Sequence, residues 1–304
     1  MPGQKLKVIR GLNNCRQQHQ NGVITIGNFD GLHLGHQKML EKMDSEASRL
    51  NTHSCMMTFE PLPREYFSRD DASSSRLMSR IEKIRTLGDF EDSLRPDYLL
   101  FLKFDRSLAA MSAVEFIERV LIEKLKIRAV IVGDDFRFGC DRKGDFGLLS
   151  DYGHKHGFSV SSIESHCIDD HRVSSSLIRD ALINDQLERT DRMLGRRYTI
   201  CGHVNHGDKR GRTIGFPTLN LVLRRRSSPL RGVYAVRVAG LGESLLPGVA
   251  NIGIRPTVEG DDRFMLEVHL FDFDREVYGQ LVEVDFVTRI ADEIKFDSFY
   301  ALRR

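Results

Sequence analysis

Apolar and polar positions follow two rhythms along the chain. Up to about residue 185, short β-type runs alternate with segments whose apolar residues recur at helical spacing. VITIGNF (23–29), SCMMTF (54–59), DYLLFLKF (97–104), RAVIVG (128–133) and FSVSSI (158–163) read as strands. Between them, residues 36–50 put Met39, Leu40, Met43, Ala47 and Leu50 on one face of an amphipathic helix. SRIEKIRTL (79–87) and the stretches 112–125, 147–156 and 175–185 read as further helices, and Ser112 with Glu115 has the spacing of a capping box. This alternation predicts an α/β fold with a parallel sheet and helices on both faces. Ligands of such sheets bind beyond the carboxyl ends of the strands.

From Tyr198 the rhythm shortens. YTICGHV, LNLVL, GVYAVRV, GVANIG, RFMLEVHLF and LVEVDFV follow closely, mostly with glycine-containing turns between them, and only DEIKFDSFYALRR at the end reads as helix. Closely spaced strands predict an antiparallel barrel or sandwich. The boundary should fall near 186–197, giving domains 1–187 and 188–304. Arg224–Arg226 reads as a solvated loop.

Composition narrows the class. A chain of 304 residues favours about two domains. A net charge of +2 gives no case for a nucleic-acid partner. No apolar run approaches the roughly 20 residues of a membrane span, and the N-terminus lacks the apolar core of a secretory signal. The five cysteines form no C-x-x-C pair, the pattern of a reduced, cytoplasmic protein without a zinc site. Oligomeric state is left open.

The candidate chemistry starts at GNFDGLHLGH (27–36). The first strand ends at Asn28-Phe29, Asp30-Gly31 turns the chain, and Gly35 removes bulk where the helix starts; Gly27, Asn28 and Gly35 are candidate phosphate-binding positions. Free N–H groups at a helix N-terminus attract anions, and His33 and His36, three apart, can face one phosphate there. A metal pair is the alternative, but no third ligand lies at recognisable spacing. Two other segments suit anions. VGDDFRFGCDRKGD (132–145) is a polar, glycine-rich loop after a strand and carries Asp135 and Arg137. VSSSLIR (173–179) puts Ser175 and Ser176 at a helix start with Arg179 one turn on; simple capping is the plainer reading of the serines.

In the second half, GDKRGRTIGFPTLN (207–220) is rich in glycine and basic residues, with Gly207, Lys209, Gly211 and Gly215 able to close over a triphosphate. It lacks P-loop spacing. Thr218 and Asn220 share one side of a strand and offer oxygen donors of the kind Mg²⁺ takes. Glu267 stands opposite the apolar face of Leu266, Val268 and Leu270.

GNFDGLHLGH, TFEPLPREYF, VGDDFRFGCDRKGD and VSSSLIR, in this order, resemble the adenylyltransferase domain of bacterial FAD synthetases, the bifunctional riboflavin kinase/FMN adenylyltransferases. GHVNHGDKRGRTIGFPTLNL, GVYAVRV, GVANIGIRPTV and LEVHLFDFDREVYG resemble the flavokinase domain of the same family. The resemblance implies a Rossmann-like nucleotidyltransferase domain followed by an antiparallel β-barrel kinase. ATP would be the co-substrate of both steps, Mg²⁺ the metal, and riboflavin, FMN and FAD the flavins. It further implies that His33 and His36 bind ATP phosphates, that Ser175, Ser176 and Arg179 hold the triphosphate from the other side, and that Asp135 lies in the nucleotide and flavin loop. Glu267 would be the base that deprotonates the ribityl 5′-hydroxyl; Asn251, Arg255 and Thr257, in the family signature VANIGIRPTV, read as structural or loop-positioning and not catalytic.

The chain departs from the family in PTLN for PTAN, in Ala291 where Arg is expected, and in ending at Arg304 before the usual Gln-Ile and Asp. These departures imply that the kinase is the slower half, and make a monofunctional FAD synthetase the alternative. A tRNA-charging protein is a different class with an HLGH-like motif, but LMSR (77–80) comes too early for its second signature.

Overall fold

A computed structural model describes residues 6–67, 75–205, 218–223, 225, 227–255 and 263–292. The packing divides the chain into two compact units, residues 1–69 with 83–174 and residues 70–82 with 175–304.

The first unit is built on a six-stranded sheet: β1 (Lys7–Arg10), β2 (Val23–Ile26), β3 (Ser54–Glu60), β4 (Tyr98–Lys103), β5 (Ala129–Gly133) and β6 (Ser159–Ile163). Its helices are α1 (Leu34–Arg49), α2 (Pro63–Phe67), α3 (Arg80–Asp89, of which Lys83 onward belongs to this unit), α4 (Arg106–Ala109), α5 (Ala113–Glu115) and α6 (Phe146–His156). The order β1-β4-β3-β2-β5-β6 is parallel throughout, as the alternation predicts. The chain runs outward from β2 through β3 to β4, then returns to β5 on the other flank of β2. The gap beyond β2 and β5 is therefore the topological switch point, where such sheets hold ligands.

Strands buried on both faces explain the continuous apolar runs: five consecutive residues of β4, Tyr98–Leu102, are buried. Ile24, Ile26, Met57, Leu100, Val130 and Val132 pack in one cluster with Phe116, Ile117, Val120, Leu121 and Leu149. Alternate positions such as Met56, Leu99 and Ile131 point to the opposite face.

Four local readings change. The strand VITIGNF stops at Ile26, because Phe29 turns left-handed (φ 45°). The helix read at 36–50 begins two residues earlier, at Leu34, since the His33 imidazole caps it. The capping box at Ser112 and Glu115 is present, but the helix continues over Phe116–Lys124 with π-type geometry. Strand β1 and the short hairpin β7 (Cys167–Ile168) and β8 (His171–Arg172) escaped the hydrophobic pattern.

The second unit carries α7 (Ser175–Ile183) and α8 (Leu187–Leu194), the latter also unread in the pattern. Six antiparallel strands follow: β9 (Thr199–Asn205), β10 (Thr218–Leu223), β11 (Gly232–Ala239), β12 (Leu246–Arg255), β13 (Arg263–Leu270) and β14 (Leu281–Ala291). They close into a barrel in the order β10-β13-β12-β11-β14-β9, so the barrel is the correct one of the two predicted architectures. Leu221, Tyr234, Val238, Leu266, Val268, Val284 and Phe286 are fully buried within it. The helix read at 292–304 lies outside the described residues.

One basic position is not where the pattern put it. Arg225 is buried, not solvated: its guanidinium bonds both carboxylate oxygens of Glu82 (2.6 and 2.5 Å) and the Tyr198 hydroxyl (3.0 Å). Burial pulls its pKa down, but the Glu82 carboxylate and Tyr198 outweigh that and hold it above the ordinary arginine value. Glu82 also accepts from the backbone N–H groups of Ser79 and Cys201.

Candidate active sites

The loop between β2 and α1 is held from below. The Asn28 carbonyl accepts from Thr58 Oγ1 (3.0 Å) and from the buried Lys83 Nζ (2.7 Å). Phe29, Gly31 and Leu32 all have positive φ (45°, 93° and 47°). For Phe29 and Leu32 this is strained backbone, kept in place because both side chains are completely buried. The loop delivers His33 to the N-cap of α1. Its Nδ1 accepts the N–H of His36 (3.3 Å), which leaves the ring proton of a neutral imidazole on Nε2. The two rings stack with centroids 3.6 Å apart and 18° between planes. The glycine between them has a steric reason: a Cβ on Gly35 would lie 3.2 Å from two atoms of the His33 ring. Gly27 likewise leaves room for the Phe29 ring, 3.2 Å from where its Cβ would be.

The loop after β5 reaches the same end of the sheet. Asp135 pairs with Arg172 (2.7 Å), and Asp134 accepts from the Ser165 N–H and hydroxyl. Burial raises the Asp134 pKa, but the Ser165 bonds and Arg172 outweigh it and the net shift is downward. These bonds tie the β7–β8 hairpin to β5 and place His166, whose Cβ lies 3.8 Å from the position of a Gly35 Cβ. Burial and the charge of Lys38 lower the His166 pKa. Arg137 is exposed, 3.7 Å from Asp145. At the carboxyl ends of β3 and β4, Phe59, Tyr66, Phe67 and Phe104 meet edge to face, with centroids 5.1–5.8 Å apart. Phe67 stays 68 % exposed. None of Lys83, Thr58, Arg172, His166 and this aromatic group was singled out from the sequence; Tyr66 and Phe67 in TFEPLPREYF were the readable signal.

In the second unit, Ser175 and Ser176 open α7. Arg179 is buried, donates through Nε to the Ser75 carbonyl (2.7 Å), and lies 3.5 Å from the Ser176 hydroxyl. On the barrel, Glu267 is in register with Asn220 on one neighbouring strand and Asn251 on the other, and Thr218 with His269. Residues directly opposite in an antiparallel pair point to the same face with Cβ atoms about 5 Å apart. Asn220, Glu267 and Asn251 therefore form one polar row, on the face away from Leu219, Leu221, Leu266 and Val268. The residues Gly207, Lys209, Gly211 and Gly215, with Thr257, lie outside the described residues. Among the described residues, no cluster of three His, Cys, Asp or Glu could hold a metal ion, and no helix is long and apolar enough to cross a membrane.

Residues 15–177 match the FAD synthetase family, and residues 194–304 match the riboflavin kinase family. The bifunctional riboflavin kinase/FMN adenylyltransferase of Haemophilus influenzae is 45% identical over 98% of this chain and 95% of its own length. The chain belongs to the bifunctional riboflavin kinase/FMN adenylyltransferase family. The Escherichia coli K12 member is 46% identical over 98% of this chain and 94% of its own. A crystal structure titled as a macrolide-efflux protein from Streptococcus pneumoniae has the same fold (TM-score 0.78, 28% identity), covering 98% of this chain and 95% of that one. Both enzymatic halves of the family are thus present, which sets the tRNA-charging class aside.

Proposed function

We propose that the two reactions of FAD synthesis run at these two sites. The observation that carries the assignment is the stacked His33–His36 pair at the N-terminus of α1, beyond the switch point of the sheet. There ATP phosphates would meet the His33 Nε2–H and the N–H groups of the first helical turn. Oxygen of the FMN phosphate attacks the α-phosphorus of ATP, the bond to pyrophosphate breaks, and FAD forms. No enzyme nucleophile is needed, so the protein's work is placement and charge stabilisation. Ser175, Ser176 and Arg179 would bind ATP phosphates, and Asp135 with Arg137 would lie in a loop that helps bind the nucleotide and the flavin phosphate. The exposed Tyr66 and Phe67 offer flat apolar surface suited to an isoalloxazine ring.

On the barrel, Glu267 would accept the proton of the riboflavin 5′-hydroxyl as the γ-phosphoryl group of ATP is transferred. The loop of Gly207, Lys209, Gly211 and Gly215 would cover that triphosphate. The Thr218 hydroxyl and Asn220 amide oxygen, beside the Glu267 carboxylate, form the hard oxygen donor set that fits Mg²⁺. Bound there, Mg²⁺ would neutralise charge on the phosphates. The five free thiols suit a reducing compartment such as the cytoplasm.

Chromatography of riboflavin, FMN and FAD after incubation with Mg²⁺-ATP tests the whole reading, with His36→Ala as the diagnostic variant. FAD formation from supplied FMN should fall by about 10²–10³, the worth of one transition-state donor, while FMN formation continues. A variant that still makes FAD within a few-fold of the parent chain would refute the assignment of HLGH.

A further inference from the structure

Asn251 stands out in the polar row of the barrel. Its Oδ1 is shielded from solvent and has no hydrogen-bond partner among the described residues. In the same row Asn220 donates to the Thr218 carbonyl (3.3 Å), and the inward-facing residues on either side of Asn251, Ala250 and Ile252, are apolar. A buried acceptor without a donor is destabilising, and native structures rarely leave one unless a bound molecule supplies the donor. The register of β12 on β13 sets Asn251 directly opposite Glu267, with both side chains on the outward face.

We propose that Asn251 is a flavin-binding residue of the kinase site: its carboxamide oxygen accepts a hydrogen bond from a ribityl hydroxyl next to the one that Glu267 deprotonates. This rests on the assignment of Glu267 to the riboflavin kinase reaction. The chemistry favours riboflavin because the donor must sit within one side-chain spacing of Glu267, about 5 Å. The hydroxyls of one ribityl chain lie that close to its reacting 5′-oxygen. The sequence alone made Asn251 a structural or loop-positioning residue, because its partner across the sheet is set by the register of two strands.

The test measures riboflavin affinity by flavin fluorescence quenching, without ATP, for Asn251→Leu, Asn251→Ala and Asn251→Ser. One lost neutral hydrogen bond should weaken riboflavin binding by about five- to tenfold in the Leu and Ala variants, and Ser, which keeps an acceptor, should recover part of it. Lumiflavin, which carries no ribityl chain, should bind all variants alike. Asn251→Leu should also raise the unfolding midpoint of the ligand-free chain, because it removes an unsatisfied buried acceptor. A residue with a purely structural role would lower it. Unchanged riboflavin affinity, an equal loss for lumiflavin, or an altered KM for ATP in place of the flavin effect would each overturn the proposal. Glu267→Gln separates the two levels. If that variant still phosphorylates riboflavin, the kinase site itself is misassigned. If it does not, a silent Asn251 condemns only the present inference.

Discussion

Removing Glu82 should destabilise the barrel unit more than any surface change. The carboxylate is 2 % exposed and accepts from the Arg225 guanidinium, which is equally buried, and from the N–H groups of Ser79 and Cys201. Glu82→Ala leaves a charged guanidinium in the interior with only the Tyr198 hydroxyl as a described side-chain partner, and strips two backbone donors of their acceptor. Breaking one side of a buried ion pair costs about 3–5 kcal/mol, and the stranded N–H groups place this case at the upper end. Replacing both partners, Glu82→Leu with Arg225→Met, removes the stranded charge as well. The double variant should therefore recover most of that loss, as buried pairs exchanged for apolar residues do. Urea unfolding followed by tyrosine fluorescence and far-UV circular dichroism, fitted as two transitions because the chain has two units, reads the difference. A single variant that loses less than about 1 kcal/mol, the level of a surface pair, would refute the reasoning. So would a double variant as unstable as the single one.

Three further outcomes are expected. Asn220→Ala should stop riboflavin phosphorylation and leave conversion of supplied FMN to FAD intact; loss of both in a folded variant would argue against separate sites. Gly35→Ala should push the His33 ring, 3.2 Å from the new Cβ, and slow FAD formation by about tenfold through misplacement, with FMN formation unchanged in the same chromatographic assay. The folded-state pKa of Asp134 lies below its unfolded value of about 3.9, so its support of the β7–β8 hairpin is present above that value and fades as pH falls through the folded one. Amide exchange at Ser165 and Val173 should accelerate only in that acidic window, and acceleration already near neutrality would contradict the sign.

Much of the fold was legible because burial on two faces writes continuous apolar runs such as those of β3 and β4, and one-sided burial writes the alternation of β11. The pattern failed where polarity and burial part company. In α3, Ile81 is 39% exposed while Glu82 and Lys83 are 2% and 3% exposed, because the two charged groups find partners inside. Arg225 misled for the same reason. Edge strand β1 is too short and too exposed to announce itself. The place of HLGH between a strand and the start of a helix was legible, and the proposed anion site rests on that position. The left-handed turns at Phe29 and Leu32, which aim it, were not, because neither residue type favours that conformation. In the barrel, Thr218, Asn220 and Glu267 were readable one strand at a time; their alignment with Asn251 depends on register between strands far apart in sequence.

The closed barrel keeps two kinds of selection apart. Its inward positions answer to packing, and under the proposed function its outward row answers to chemistry. The strand period of two assigns each residue to one account or the other. Inward residues such as Leu221, Val238, Leu266 and Phe286 can exchange for other apolar side chains of similar total volume without moving a polar group on the outside. A lineage, or a designer, can therefore retune the melting temperature of this half through its interior and leave the reaction untouched, whereas one residue inserted into β13 would turn Glu267 inward and forfeit both at once.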